Sequence, residues 1–217
     1  MSGLSTHPRT LRGGLALVDP VSGTLRRLIA LQYNPERLTR TIQPAAGSGA
    51  SHAEPLRLTG PGVETIRLEA ELDAADQLEQ PGKFPDVVNT GLLPVLSALE
   101  LILYPSSGQL QSNDRLANMG TLEIAPMEGP LVLFMWSKYR VLPVRVTDIG
   151  ITEDEFDAAL NPIRAKVSMT MKVLAPGDLP FSHRGSALFM SHLVQKEALA
   201  GRAGKGMLSM LGLGGLP

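Results

Sequence analysis

Val63-Glu-Thr-Ile-Arg-Leu-Glu-Ala-Glu-Leu-Asp73 is the stretch that decides the fold class. From Ile66 onward, Ile66, Leu68, Ala70 and Leu72 alternate with charged residues, the period of two expected of a strand with one face buried and one in water. The same rhythm returns in Asn161 to Leu174, where Ile163, Ala165, Val167, Met169, Met171 and Val173 occupy alternate positions. Two long alternating segments predict antiparallel sheet with one covered face.

Working outward, Leu15-Ala-Leu-Val18 and Leu25-Arg-Arg-Leu-Ile-Ala-Leu-Gln-Tyr33 flank turn signals at Asp19-Pro20 and Ser22-Gly23, and so read as a hairpin. Alternation continues through Leu31 to Ile42 but is broken at Asn34-Pro35. A proline lacks the ladder donor and biases its predecessor to extended backbone, so this strand should be interrupted or lie at an edge. Gln43 to Gly62 is rich in Ala, Gly, Ser, Pro and His and reads as a long exposed loop or interaction arm. Leu92 to Tyr104 changes period: Leu92, Leu93, Leu96, Leu99, Ile102 and Leu103 recur three and four apart, with Pro94 in the first turn and Pro105 as the stop. That predicts a helix laid on the sheet.

Ser106 to Asn113 reads as a polar loop. Strand-like runs follow at Thr121 to Ala125, Leu131 to Trp136 and Tyr139 to Ile149. Between the last of these and Asn161 lies an acidic stretch that fits either a helical connection or two strands around a turn at Glu153 to Glu155; the two-strand reading is preferred. Gly185 to Ala200 has near-helical spacing, and a Gly/Met/Leu-rich end follows. The expected architecture is mainly β: an antiparallel β-sandwich or open barrel with one packed helix. The β domain would occupy residues 1–175, with an exposed arm at 43–62, and residues 176–217 would form a C-terminal helical extension.

The 217 residues are 43% hydrophobic, enough for a sizeable core and unlike a disordered chain. Twenty Lys and Arg against 21 Asp and Glu give a formal net charge of −1, which removes the electrostatic case for a nucleic-acid binder. With no cysteine there is no disulfide framework and no thiolate metal site, in keeping with a reducing compartment. The longest apolar runs fall short of the roughly 20 residues of a membrane-spanning helix, and the start has no signal-peptide core. A soluble protein made and folded in the cytoplasm is expected.

Candidate chemistry is sparse. His7, His52, His183 and His192 form no HxH or HExxH pattern, so no metal is expected. Glu153, Asp154, Glu155 and Asp157 lack the glycine and terminal glutamate of a calcium loop. No nucleophile elbow, P-loop or dinucleotide fingerprint is present, so no catalytic residue and no cofactor is expected. Trp136, the single tryptophan, reads as a core or interface anchor. Met207, Leu208, Met210 and Leu211, in a glycine-rich end, have no core of their own and read as an assembly arm covered by a partner.

Leu31-Gln-Tyr-Asn-Pro-Glu-Arg-Leu-Thr39 resembles the "F-x-F/Y-N-P-E-x-L/Y" opening of the tube-related baseplate proteins of contractile injection systems. Later segments agree in order. Glu64 to Asp73 is similar to the "P-E-x-L-x-x-x-L-x-x-D" strand, and Leu93 to Tyr104 to the helix after it. Pro130-Leu-Val-Leu-Phe-Met-Trp-Ser137 resembles "P-P-x-L-x-F-x-W-G", and Phe156 with Asn161-Pro-Ile-Arg-Ala-Lys-Val167 resembles "F-x-x-D-G-x-P-x-R-A-x-V". Ser137 and Ala159-Leu160-Asn161 depart from the family's glycine and Asp-Gly. The resemblance spans about Leu15 to Leu174 and marks Tyr33, Asn34, Pro35, Trp136, Phe156, Pro162 and Arg164 as fold or interface residues.

What the resemblance implies is a short member without the glycan-binding LysM module. Such a protein has the phage tail-tube fold and forms a hexameric ring of its own copies. It joins the inner-tube protein to the spike and baseplate subunits of a phage-tail-like particle, without enzymatic activity. An inner-tube or tube-initiator role is the close alternative. A different class, a small β-barrel that binds a ligand or hydrolyses a glycan, would need acid and base carboxylates such as Glu64/Glu69 or Asp148/Glu153.

Overall fold

The computed structural model describes residues 11–45, 58–119 and 129–203. The arm proposed at 43–62 lies mostly outside them, as do the strand expected at Thr121 to Ala125, His7, His52, and the arm residues Met207, Leu208, Met210 and Leu211.

Among the described residues seven strands form one antiparallel sheet: β1 (Gly14–Val18), β2 (Leu25–Ala30), β3 (Leu38–Gln43), β4 (Val63–Asp73), β5 (Leu131–Ser137), β6 (Arg140–Phe156) and β7 (Pro162–Val173). Their order across the sheet is β2-β1-β5-β6-β7-β4-β3, so the second and third strands in sequence end up on opposite edges. The chain is mainly β, as the alternation predicts. Both the opening hairpin and the strand break around Asn34-Pro35, with β3 at an edge, are found as expected.

Register puts the apolar residues on one face. Leu15 sits opposite Phe134, Phe134 opposite Leu142, Ile66 opposite Met171 and Leu68 opposite Met169. Together with Leu17, Val144, Val167 and Val173 these form a single buried cluster. Phe134 is completely buried, and a fully buried phenylalanine contributes about 1.5–3 kcal/mol.

The sheet curls. Gln32 lies only two residues past the end of β2, yet its side chain bonds both backbone groups of Asp73, the last residue of β4: Nε2 donates to the carbonyl at 2.5 Å, and Oε1 accepts from the amide at 2.8 Å. In a flat sheet those strands would stand about 24 Å apart, five spacings of about 4.8 Å. Two residues reach only about 7 Å. Curling alone brings the ends of β2 and β4 together, and the result is an open barrel whose edges, β2 and β3, are not hydrogen-bonded to each other.

Five helices accompany the sheet among the described residues: α1 (Ala75–Leu78), α2 (Pro85–Thr90), α3 (Leu93–Glu100), α4 (Ser107–Asn118) and α5 (Arg184–Ala200). α3 is the expected packed helix, with Pro94 in its first turn and Leu96 and Leu99 buried in the core. α5 is the expected C-terminal helix; it lies along β6 and adds Phe189 to the same core.

Two expectations are corrected. The polar loop at Ser106 to Asn113 is the start of α4. Ser106 and Gln109 make a reciprocal capping box that satisfies the orphan amides of its first turn, so a polar sequence still nucleates a helix. The acidic turn expected at Glu153 to Glu155 is strand, because β6 continues to Phe156, which pairs with Pro162. The turn comes four residues later, where Asp157 accepts from the amides of Ala159 and Asn161, both at 2.8 Å, and Leu160 takes a left-handed φ of 64°. The Asn161 side chain also donates to the Asp157 carboxylate at 2.8 Å, and this bond is the main reason that the carboxyl lies below its usual range.

Candidate functional site

Of the seven residues marked by the resemblance, Asn34, Trp136, Pro162 and Arg164 make structural contacts within the barrel, in two groups. Asn34 Oδ1 accepts from the Gly13 amide at 2.9 Å, and its Nδ2 donates to the Leu11 carbonyl at 2.7 Å, so it clamps the strand that becomes β1. A short polar side chain held before proline is suited to this bidentate grip on backbone. Gly13 in turn lies flat against Trp136: a Cβ there would meet the indole at 2.6 Å. Trp136 stacks on Phe134 with ring centroids 5.8 Å apart and the planes inclined by 23°, an offset arrangement favoured by aromatic quadrupoles.

Across the seam, Gln32 holds Asp73, and Asp73 holds Arg164, whose Nη2 and Nε donate to one carboxylate oxygen at 3.0 and 3.1 Å. Arg164 Nη1 donates to Glu155 at 2.6 Å. The amide of Ala75 on the Asp73 carboxylate, more than Arg164, holds that carboxyl below its ordinary value, with partial burial opposing. Arg164 is correspondingly raised by its bonds to Asp73 and the charge of Glu155. Pro162 is fully buried and its carbonyl accepts from Leu92, fixing the start of α3. Gly91 packs against that carbonyl with a φ of 55°, a position where a side chain would be both strained and obstructed.

Tyr33 and Pro35 do not join this network. They line a shallow hollow with Arg37, Glu69, Glu71 and Lys166. Phe156 is half exposed where β6 ends.

The second concentration of chemistry was invisible as a motif. On the core face of the sheet, Glu64 occupies the phase of Ile66 and Leu68, one pair further along, and is buried. Arg40 Nε donates to its Oε1 at 2.6 Å, and Lys196 Nζ of α5 stands 3.6 Å from its Oε2. Burial pushes the Glu64 carboxyl up, but the hydrogen bond and charge of Arg40, aided by Lys196 and His192, outweigh it and leave the group below its ordinary value. Arg140, at the start of β6, is lowered by burial and by the neighbouring Arg40, with Glu64 opposing. His192, one helical turn before Lys196, is lowered by burial and by Lys196. Both its ring nitrogens are buried and make no well-formed hydrogen bond, the Tyr139 backbone being the polar group beside the ring. The signal available in the sequence was a glutamate at an apolar phase of the clearest strand.

The carboxylate pairs considered for glycan hydrolysis do not form. Glu64 and Glu69 are five residues apart on one strand, as are Asp148 and Glu153 beyond the irregularity at Val146/Asp148, so each pair points to opposite faces about 17 Å apart. His183 is a helix cap, its Nδ1 accepting from the Gly185 amide at 3.0 Å. Among the described residues no helix is long and apolar enough to cross a membrane.

The sequence matches no protein-family model, and no curated protein aligns with it significantly.

Proposed function

We propose that this chain is a non-enzymatic ring subunit of a contractile injection particle, of the phage tail-tube fold type, seated between the inner tube and the spike or baseplate. The observation that carries the reading is the pair of sheet edges. β2 and β3 each pair on one side only among the described residues, and the outer strands leave Leu25, Leu28 and Ile42 54%, 57% and 56% exposed. Free edges bearing large apolar side chains invite strand addition from another chain. Edges at the two ends of one curled sheet suit a head-to-tail contact, the kind that closes into a ring.

Further support comes from the seam. Of the residues of the resembling segments, Asn34, Trp136, Pro162 and Arg164 are engaged in contacts within the barrel, as suits a building block. The separated carboxylates weigh against the glycan-hydrolysing alternative. An inner-tube or initiator role differs in copy number alone: many stacked rings rather than one.

Reconstruction of the purified particle tests the proposal. Density for this chain in a six-fold ring between tube and spike is the expected result; its absence from that region overturns the adaptor reading, and many stacked copies along the tube favour the alternative.

A further inference from the structure

We propose that the acidic tip of the β6–β7 hairpin docks into an apolar, arginine-lined hollow beside the end of α3 on a second copy of this chain. The inference rests on the self-association in the ring reading, but it uses side chains instead of strand edges, so the two are tested apart.

The tip is rigid and strained. Beyond Ile151, β6 is paired to β7 alone, and Glu153, Phe156 and Leu160 are exposed, Leu160 by 79%. Two residues there hold left-handed backbone, Glu155 with a φ of 56° and Leu160 with 64°. That conformation is strained for a bulky leucine and persists only where its surroundings over-determine it. Asp157 does so: its carboxylate accepts from the amides of Ala159 and Asn161, and its carbonyl accepts from the Leu160 amide at 3.0 Å. Asn161 and Pro162 then pin the hairpin to the carbonyl of Asn89 and the amide of Leu92. An exposed leucine held this firmly is ordered before any partner arrives, so docking costs little conformational entropy. Beside it, Glu153 and Asp154 make no ion pair among the described residues.

The hollow has the opposite sign. Its volume of about 770 Å³ lies within the roughly 300–1,000 Å³ of ordinary binding pockets. Exposed Leu101, Leu103 and Tyr104 line it together with Arg26, Arg27 and Arg145. Arg26 pairs with Asp19, whereas Arg27 and Arg145 make no ion pair among the described residues. Unpaired arginines around exposed apolar side chains complement unpaired carboxylates around a leucine and a phenylalanine, in charge and in apolarity. The tip cannot fill the hollow of its own copy. Arg145 and Phe156 stand eleven residues apart on β6, about 35 Å at the rise of a strand, and pairing with β7 from Val144 to Phe156 keeps that strand extended. The occupant is therefore another copy, and the contact is head-to-tail.

The chain has no cysteine, so single cysteines report the contact directly. Full-length Ala159→Cys, altered at the tip, is mixed with isotope-labelled Asn113→Cys, altered in the lining of the hollow, and oxidised with copper phenanthroline. Mass spectrometry then counts the mixed disulfide-linked pairs. They should exceed by at least about tenfold those formed when Glu197→Cys, at an exposed position of α5, takes the place of Asn113→Cys. Adding Arg145→Glu to the Asn113→Cys chain should lower the yield at least about tenfold, while Lys83→Glu, the same charge change outside the hollow, leaves it unchanged. Arg145 and Lys83 are both exposed, so these variants fold, and far-UV circular dichroism checks this. A mixed yield equal to that of the Glu197→Cys control, or one unmoved by Arg145→Glu, overturns the docking. Sedimentation of the wild-type chain keeps the ring reading separate: oligomers that form without the cross-link overturn the docking and leave the edge contact standing.

Discussion

Replacing Gln32 by alanine should unzip the seam of the barrel. The amide group of this side chain makes two bonds to the backbone of Asp73, 41 residues away, at 2.5 and 2.8 Å, in a partly buried setting. Each such bond contributes about 0.5–1.5 kcal/mol net, and the Asp73 amide and carbonyl would be left without partners at a further cost, for a total of about 2–3 kcal/mol. In a chain of this length each kcal/mol moves the melting midpoint by about 2–4 °C, so a fall of roughly 4–12 °C is expected. Equilibrium urea unfolding, with thermal melting alongside, measures it, and the exposed helical Gln111→Ala serves as control. Gln32→Glu keeps the acceptor for the amide but sets a carboxylate against the carbonyl, so it should not rescue. A Gln32→Ala loss below about 0.5 kcal/mol, or one equal to the control, would refute the view that this side chain closes the sheet.

Three further outcomes follow from the packing and the charges. Phe134→Ala removes a completely buried ring from beneath Trp136 and should cost about 3–5 kcal/mol in urea unfolding. Ser106→Ala deletes the capping box of α4 and should cost about 1 kcal/mol, with faster amide exchange confined to that helix; exchange spreading into the sheet would contradict it. Because the folded state holds His192 below its ordinary value, the unfolded chain binds the proton more readily, so stability at low salt falls as pH drops below about 6.5. His192→Gln should flatten that slope, and an unchanged slope would show that the imidazole is not responsible.

How much of this was legible in the sequence varies by element and has physical causes. β4 and β7 announced themselves because each is buried on one face along its length, so the alternation survives in the residues. α3 was equally plain, since Leu96 and Leu99 face the core while Pro94 marks the start. α4 was missed because none of its residues is buried: nothing imposes an apolar period on a helix in water, and only the Ser106/Gln109 cap betrayed it. The acidic end of β6 misled for a related reason. Beyond Ile151 the strand is paired on one side only, to β7, and most of its residues are exposed, so charged residues sit comfortably there and mimic a turn. The seam could not be read at all. Gln32 and Asp73 are ordinary residues until the curl of the sheet brings them together, and no local pattern encodes a contact across 41 positions. The cluster at Glu64 was half visible, as a charge where an apolar residue was due; its partners come from three other elements, and only folding assembles them.

Native mass spectrometry of the purified full chain, alone and together with the inner-tube protein of the proposed particle, bears most directly on the idea that neighbouring copies cover the free edges β2 and β3. A closed six-copy assembly is the predicted mass. A single chain under both conditions, at concentrations where the tube partner itself assembles, would contradict it.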